Sequence, residues 1–182
     1  VPAVIGVGAF ALFFLSDYND WKLTRRSLKW CFPAGGVLLA VATGLDAAGG
    51  KALLSGWPRG LLFILAAVFG GLLVHTLFFA LPADASYTHP GQERPVVTKG
   101  PYALCRHPGV LWFLGLYGCL WAAAGIPLWT AALYSGLNVL LVVFEDRCVF
   151  PSRVTGYAAY SRVTPFLMPT AASFRACCGW SR

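Results

Sequence analysis

Five apolar stretches, residues 2–15, 30–45, 60–81, 109–127 and 128–144, dominate this chain of 182 residues. A helix needs about 20 apolar residues to cross the hydrocarbon core of a bilayer. The third stretch is long enough alone, and the others reach that length with their flanking residues. Each is apolar around its whole circumference, which fits neither a half-buried strand nor a soluble amphipathic helix. Backbone groups in lipid must be satisfied within the segment, so these stretches read as helices. Composition agrees: 58% of residues are apolar and 12% charged, where soluble domains carry about 25% charged residues. Aromatic content of 15%, no glycine period and only six cysteines exclude a disordered, collagenous or disulfide-dense chain. The sequence therefore predicts an all-α integral membrane bundle of about five transmembrane helices in one domain. Residues 1–81 carry three N-terminal spans, 82–169 a core and 170–182 a tail. The chain opens on Val1 rather than Met, which reads as a trimmed or processed start. The first stretch lacks a basic n-region and a small-residue cleavage site, so a span is expected there rather than a signal peptide.

Basic residues set the expected orientation. Lys22, Arg25, Arg26 and Lys29 separate spans one and two; Arg94, Lys99 and Arg106 separate spans three and four. Arg147, Arg153, Arg162, Arg175 and Arg182 follow span five, whereas only Lys51 and Arg59 fall on the opposite side. Positive charge collects on the cytoplasmic face, which puts the N-terminus outside and the C-terminus inside. The net charge of +7 is accounted for by a basic inner face against the anionic lipid bilayer, with no nucleic acid as partner. Spans four and five meet at Gly125-Ile126-Pro127, a connection short enough to force an antiparallel hairpin. The segment before span four and the tail after span five then emerge side by side.

Most of the remaining polar chemistry lies in those two segments. The first runs Arg94-Pro95-Val96-Val97-Thr98-Lys99-Gly100-Pro101-Tyr102-Ala103-Leu104-Cys105-Arg106-His107-Pro108. Gly100-Pro101 signals a turn, and Pro108 suits the first turn of the helix it opens. Arg106 and His107 stand at that helix mouth, where free N–H groups favour a carboxylate or phosphate. The plainer alternative has Arg106 snorkelling to lipid phosphates and His107 capping the span. The second segment begins with Glu145-Asp146-Arg147 and continues through Tyr157, Tyr160 and Pro165 to Pro169. Glu145 and Asp146 are two of only seven acids in the chain. They read either as a polar helix end, with Arg147 compensating the dipole, or as functional ionisable groups at a membrane boundary.

Gly-Pro-Tyr-x-x-x-Arg-His-Pro, a helical hairpin, an acidic pair and then Tyr-x-x-Tyr resemble the isoprenylcysteine carboxyl methyltransferase family, related to the phospholipid methyltransferases. The resemblance covers roughly residues 94–169; the first three spans match in hydropathy alone. It implies an integral membrane methyltransferase that uses S-adenosyl-L-methionine, with a cytoplasmic-side pocket formed by the loop before span four and the tail. By position it implies cofactor contacts from Arg94, Val96, Val97, Tyr102, His107, Pro108, Gly109, Val110 and Glu145. Catalytic roles fall to Arg106, Glu145, Asp146 and Tyr160. On this reading Glu145 takes the cofactor's ammonium group, Arg106 and the helix start meet its carboxylate, and Asp146 or Tyr160 faces the acceptor. The family pattern continues Arg-His-Pro-x-Tyr-x-Gly, whereas Val110 and Trp112 stand at its last two positions here. Leu141 stands where the prenylcysteine enzymes carry an arginine one turn before the acidic pair. The apolar run of Leu137, Leu140, Leu141 and Phe144, with Asn138 as its polar group, is expected to admit a neutral, amine-bearing or thiol-bearing lipophilic acceptor from the bilayer. Methyl transfer from a sulfonium depends on positioning and a dry cavity. The glycine-rich dinucleotide motif is absent, so the site is not of the soluble Rossmann type.

Two other functions compete: an NADPH-dependent sterol-type membrane reductase, and a thiol-based metal carrier using Cys31, Cys105 and the Cys177-Cys178 pair. The cysteines lack metal spacing, and those expected to face the cytoplasm read as free thiols. His75 is expected to be an interhelical hydrogen-bonder or a cavity residue, and His89 has no evident metal partner. Gly35-Gly36 and Gly70-Gly71 are expected to mark close helix packing. Trp30, Trp57, Trp121 and Trp129 fall where an interfacial belt belongs.

Overall fold

A computed structural model of the chain describes residues 1–80 and 93–179. Helix α1 (Pro2–Tyr18) continues through a π-helical turn, Asn19–Leu23; a 3-10 turn, Arg26–Trp30, leads into α2 (Cys31–Gly49). Helix α3 (Gly56–Val74) also ends in a π turn, His75–Phe79. Strand β1 (Arg94–Pro95) and the short α4 (Pro101–Leu104) precede the hairpin of α5 (Pro108–Ala124) and α6 (Leu128–Phe144). A third π turn, Glu145–Val149, follows α6, and then come α7 (Phe150–Arg153), β2 (Val154–Thr155), α8 (Tyr157–Val163) and α9 (Ala171–Cys177). His89 lies outside the described residues.

The protein is an all-α membrane bundle. Pro2–Leu23, Arg26–Gly49, Gly56–Phe79 and Leu128–Arg153 are long and apolar enough to cross a membrane, and α5 is a shorter apolar helix of 17 residues. The helical stretches overrun several of the apolar runs because polar residues at their ends are buried rather than solvated. Asp17, Asn19 and Asp20 all lie inside the packing, so the first helix extends well past residue 15. Local chemistry sets the hairpin: Pro108 opens α5, where its missing N–H is no loss, and Gly125 closes it in the left-handed conformation at φ 77°.

Helix α1 packs on α2 and α6, and α5 on α3 and α6. The aromatic centre comprises Phe10 and Phe13 from α1, Phe113 and Tyr117 from α5 and Tyr134 from α6, joined by Leu141. One stripe of α3 faces α5: Ala66 is buried, Phe69 lies over Gly115 and Leu73 over Gly109. The opposite faces of α2 and α3 expose Val37, Val41, Leu61, Ile64 and Val68, an apolar surface that suits lipid.

Several details correct the sequence reading. A Cβ at Gly36, Gly70 or Gly71 meets nothing within 4 Å, so neither doublet acts as a unit; Gly35 alone sits tightly, against Phe13 and the Ala9 carbonyl. The α3 doublet misses its partner because the Ala66–Phe69–Leu73 stripe makes the contact. His75 is exposed and stacks on Phe79. Trp121 packs against the core, while Trp30, Trp57 and Trp129 are exposed. The run from Leu137 to Phe144 is not one wall: Leu141 is 8% exposed within the core, whereas neighbouring Leu140 is 59% exposed, as successive residues about 100° apart on a helix must be.

The far end of the hairpin is closed by backbone. A Cβ on Gly125 falls 2.5 Å from the Lys51 backbone, and its φ is one that side chains resist. Gly125→Ala is therefore expected to lower stability by about 2 kcal/mol or more. Gly71→Ala, facing open space, is expected to be neutral or slightly stabilising. Thermal unfolding in detergent measures both; equal losses would contradict this packing.

Candidate functional site

The segment before α5 and the tail after α6 are stitched together by backbone. β1 and β2 pair in parallel, Arg94 opposite Val154 and Pro95 opposite Thr155, and the Val96 N–H donates to the Thr155 carbonyl at 3.1 Å. Farther along, the Arg106 and His107 N–H groups donate to the Pro165 and Phe166 carbonyls at 2.9 and 3.3 Å. Gly100, at φ 59°, turns the chain into α4. Between these seams lies an open cleft. Arg94, Pro95, Val96, Val97, Tyr102 and Arg106 line one side, and Phe150, Val154, Tyr157 and Tyr160 the other.

The cleft rests on an ion network. Arg106 Nη1 donates to both Asp146 carboxylate oxygens at 2.7 Å. The Tyr157 hydroxyl donates to the same carboxylate, and His107 Nε2 lies 3.2 Å from it. His107 Nδ1 stands 3.6 Å from Glu145 Oε2, so the ring bridges the acidic pair. That ring stacks on Phe150 at 5.5 Å and meets Phe166 edge-on, while the Arg106 guanidinium also covers Phe166. Arg106 Nε is buried without a hydrogen-bond partner among the described residues.

A second layer comes from α1 and α3. Arg94 pairs with Asp20 at 3.1 Å, and Arg153 donates to the Asp20 and Trp21 carbonyls at 2.8 and 3.1 Å. Asn19 bonds both backbone groups of Arg25, holding the turn after α1. The Tyr160 hydroxyl donates to the Tyr102 carbonyl at 2.6 Å, and the Tyr102 hydroxyl to the Thr76 carbonyl at 3.1 Å. Trp112 donates to Thr76 Oγ1 at 3.1 Å. Burial pushes the Tyr102, Tyr157 and Tyr160 phenols up, aided at Tyr157 by its bond to Asp146. At neutral pH all three are hydrogen-bond donors, and none is a base.

Of the residues expected to hold a cofactor, Arg94, Val96, Val97 and Tyr102 line the cleft. His107, Pro108, Gly109, Val110 and Glu145 do not: His107 and Glu145 lie in the network beneath, and Gly109 approaches Leu73. The Pro165 and Phe166 carbonyls take up the Arg106 and His107 N–H groups just before α5. Of the expected catalytic residues, Arg106 and Tyr160 line the cleft, while Asp146 is engaged by Arg106, His107 and Tyr157. The sequence reading missed Phe150, Thr76, Arg153, Asp17 and Asp20. The last two carried a signal: they are two of seven acids, set where an apolar stretch ends.

The cysteines fall at the edge of the site. Cys105 is completely buried, and burial pushes its thiol up to about 11. Helix α9, carrying Cys177, packs on α4 just before Cys105; Cys178 is exposed. Among the described residues no three His, Cys, Asp or Glu side chains are grouped to hold a metal ion.

No family model and no solved structure matches the chain. It is similar to the cobalt-zinc-cadmium resistance protein CzcN of Cupriavidus metallidurans, 30% identical over 101 residues. That match covers 53% of this chain and 46% of the relative, so the chain spans about half the length of the curated protein it matches.

The Arg106–Asp146 pair yields a direct test. Asp146→Ala leaves a largely buried guanidinium uncompensated and is expected to destabilise the protein by about 3 kcal/mol. Adding Arg106→Ala removes the orphaned charge, so the double variant is expected to lose less than the sum of the singles. Denaturant unfolding of the four proteins in detergent measures the coupling; strict additivity would rule out a mutual pair.

Proposed function

We propose that the protein transfers a methyl group from S-adenosyl-L-methionine to a lipophilic or small acceptor at the membrane. The observation carrying this reading is the cleft, built jointly from the two segments whose motifs resemble the isoprenylcysteine carboxyl methyltransferases. The donor set suits an amino-acid-bearing nucleoside. Arg106, which lines the cleft, offers a guanidinium for a carboxylate. Phe150 and Tyr157 offer aromatic walls.

When bound, S-adenosyl-L-methionine supplies an electrophilic methyl group on a sulfonium. The chain's own residues position and enclose the reactants, the effects on which such a displacement depends. Tyr160 fixes the Tyr102 carbonyl, and the Arg106–Asp146 pair ties the cleft's two sides together. With the phenols protonated and Asp146 occupied, the site offers no strong general base. It suits an acceptor that attacks through a lone pair it already has, such as an uncharged amine. The acceptor we propose is a neutral, amine-bearing or thiol-bearing lipophile. The orientation proposed with this function has the N-terminus outside and the cleft cytoplasmic, as the basic residues suggest.

Metal carriage is the second reading, favoured by the name of the similar Cupriavidus metallidurans protein and by the proximity of Cys105 to α9. Calorimetry on the detergent-solubilised protein separates the readings. Binding of S-adenosylhomocysteine is expected, and its absence alongside clear binding of Cu(I), Hg(II) or NADPH would defeat the methyltransferase reading. A membrane-impermeant maleimide offered to either face of oriented vesicles tests orientation. Cys178 is expected to label from the cytoplasmic face, with Cys105 unreactive below about pH 9 because its thiol is buried and protonated. Labelling of Cys178 only from outside would reverse the topology.

A further inference from the structure

The turn between α1 and α2 gathers four basic residues, Lys22, Arg25, Arg26 and Lys29, within a short stretch of chain. Lys22, Arg25 and Arg26 are exposed, and none of the four pairs with an acid among the described residues. Arg94, Arg106 and Arg153, by contrast, spend their guanidinium groups on internal partners. The acids closest in sequence, Asp17 and Asp20, are buried, and Asp20 faces Arg94, so they do not offset the turn's charge from outside.

The turn is also held in shape. Buried Asn19 accepts the Thr24 N–H at its carbonyl and the Arg25 N–H at Oδ1, both at 2.8 Å, and its Nδ2 donates to the Arg25 carbonyl at 3.1 Å. These bonds keep Thr24 in the left-handed conformation at φ 51°, which a β-branched residue resists. Basic side chains on such a fixed backbone lose less freedom on binding than those on a loose loop.

The surroundings say what the charges meet. Both flanking helices belong to stretches long and apolar enough to cross a membrane. Leu15 and Tyr18 are exposed at the end of α1, and Trp30, 66% exposed, stands at the head of α2. Lys22 and Lys29 lie over the rings of Trp21 and Trp30, 4.2 and 5.3 Å from their centroids, which keeps both ammonium groups at the level of the aromatics. Aromatic and basic residues side by side mark a membrane–water boundary, and four Lys or Arg directly beside a span attract anionic headgroups. An acidic protein would match the charge but not the exposed apolar rim.

We propose that this turn is a binding surface for an anionic phospholipid, with Arg25, Arg26 and Lys22 on its phosphate and its chains against the exposed apolar residues of α1 and α2. The surface is independent of methyl transfer, since none of these residues lines the cleft.

Native mass spectrometry of the full chain in neutral detergent, titrated with phosphatidylglycerol or phosphatidylcholine, counts the lipid bound. The native protein is expected to prefer phosphatidylglycerol by about tenfold or more, and Arg25→Gln with Arg26→Gln to remove most of that preference. Arg162→Gln with Arg175→Gln, which takes the same charge from exposed positions of the tail, is expected to leave it unchanged. Arg25→Lys with Arg26→Lys keeps the charge, guards against a glutamine variant that fails to fold, and is expected to retain most of the preference. No preference in the native protein would overturn the proposal, as would loss of binding in the lysine pair. Equal losses from the turn and the tail would overturn it too, by showing diffuse surface charge. Displacement of the lipid by inorganic phosphate at equal concentration would assign the turn to a free anion instead, and displacement by polyglutamate to an acidic protein.

Discussion

One charge pair ties together the two segments that form the cleft. Arg106 and Asp146 are 40 residues apart in the chain and belong to segments on opposite flanks of the α5–α6 hairpin. Their contact, shared with Tyr157 and His107, brings the loop before α5 against the tail after α6. Side-chain exposures of 16% and 15% place the pair at a partly dry boundary. There, attraction is stronger than in water and desolvation less severe than in a core. The β1–β2 pairing and the Pro165 and Phe166 carbonyl contacts use the same juxtaposition. The walls of the cleft follow from it.

Three π-helical turns bring polar groups to this end of the bundle. Thr24, Ala80 and Phe150 donate their N–H groups to residues 19, 75 and 145, five positions earlier, at the ends of the first, third and last spans. A π turn widens the helix and changes which side chains face inward, and such turns are frequent at functional sites. Here they carry Asp20, Thr76, Glu145 and Asp146. An uninterrupted α-helix would rotate each following residue by the usual 100° and set these groups in a different register. The widened turns let long apolar helices finish in buried polar contacts instead of fraying into solvent.

This device explains what was legible in the sequence and what was not. Apolar run length alone gave the helices and the forced hairpin, because lipid leaves the backbone few alternatives. The motif residues Arg94, Val96, Val97, Tyr102, Arg106 and Tyr160 do meet in one cleft, since a three-residue connection at Gly125 leaves the two segments nowhere else to go. The acidic pair was visible as a departure from an apolar background. Its division of labour, with Asp146 held by Arg106 and Glu145 facing His107, depends on the π register, which has no sequence signature here. Asp17 and Asp20 escaped notice because hydropathy ended the first span at residue 15. Gly70-Gly71 misled for a similar reason: composition reports that a helix can be approached closely, whereas the facing stripe decides where.

The two ends of the bundle are held by different physics. At the far end Gly50 and Gly125 bring backbone against backbone, Leu53 donates to the Ala122 carbonyl at 3.0 Å, and Arg59 donates to the Ala123 carbonyl at 2.9 Å. Between the ends, aromatic rings interlock, and the Tyr117 hydroxyl shares a 2.6 Å bond with Thr43. Those contacts involve fixed backbone and tightly packed rings, which have few alternative arrangements. At the site end the contacts are charges and hydroxyls on side chains, whose balance shifts when a charge is added or removed. A bundle clamped at one end and electrostatically poised at the other can admit a charged ligand by rearranging side chains, without repacking its core.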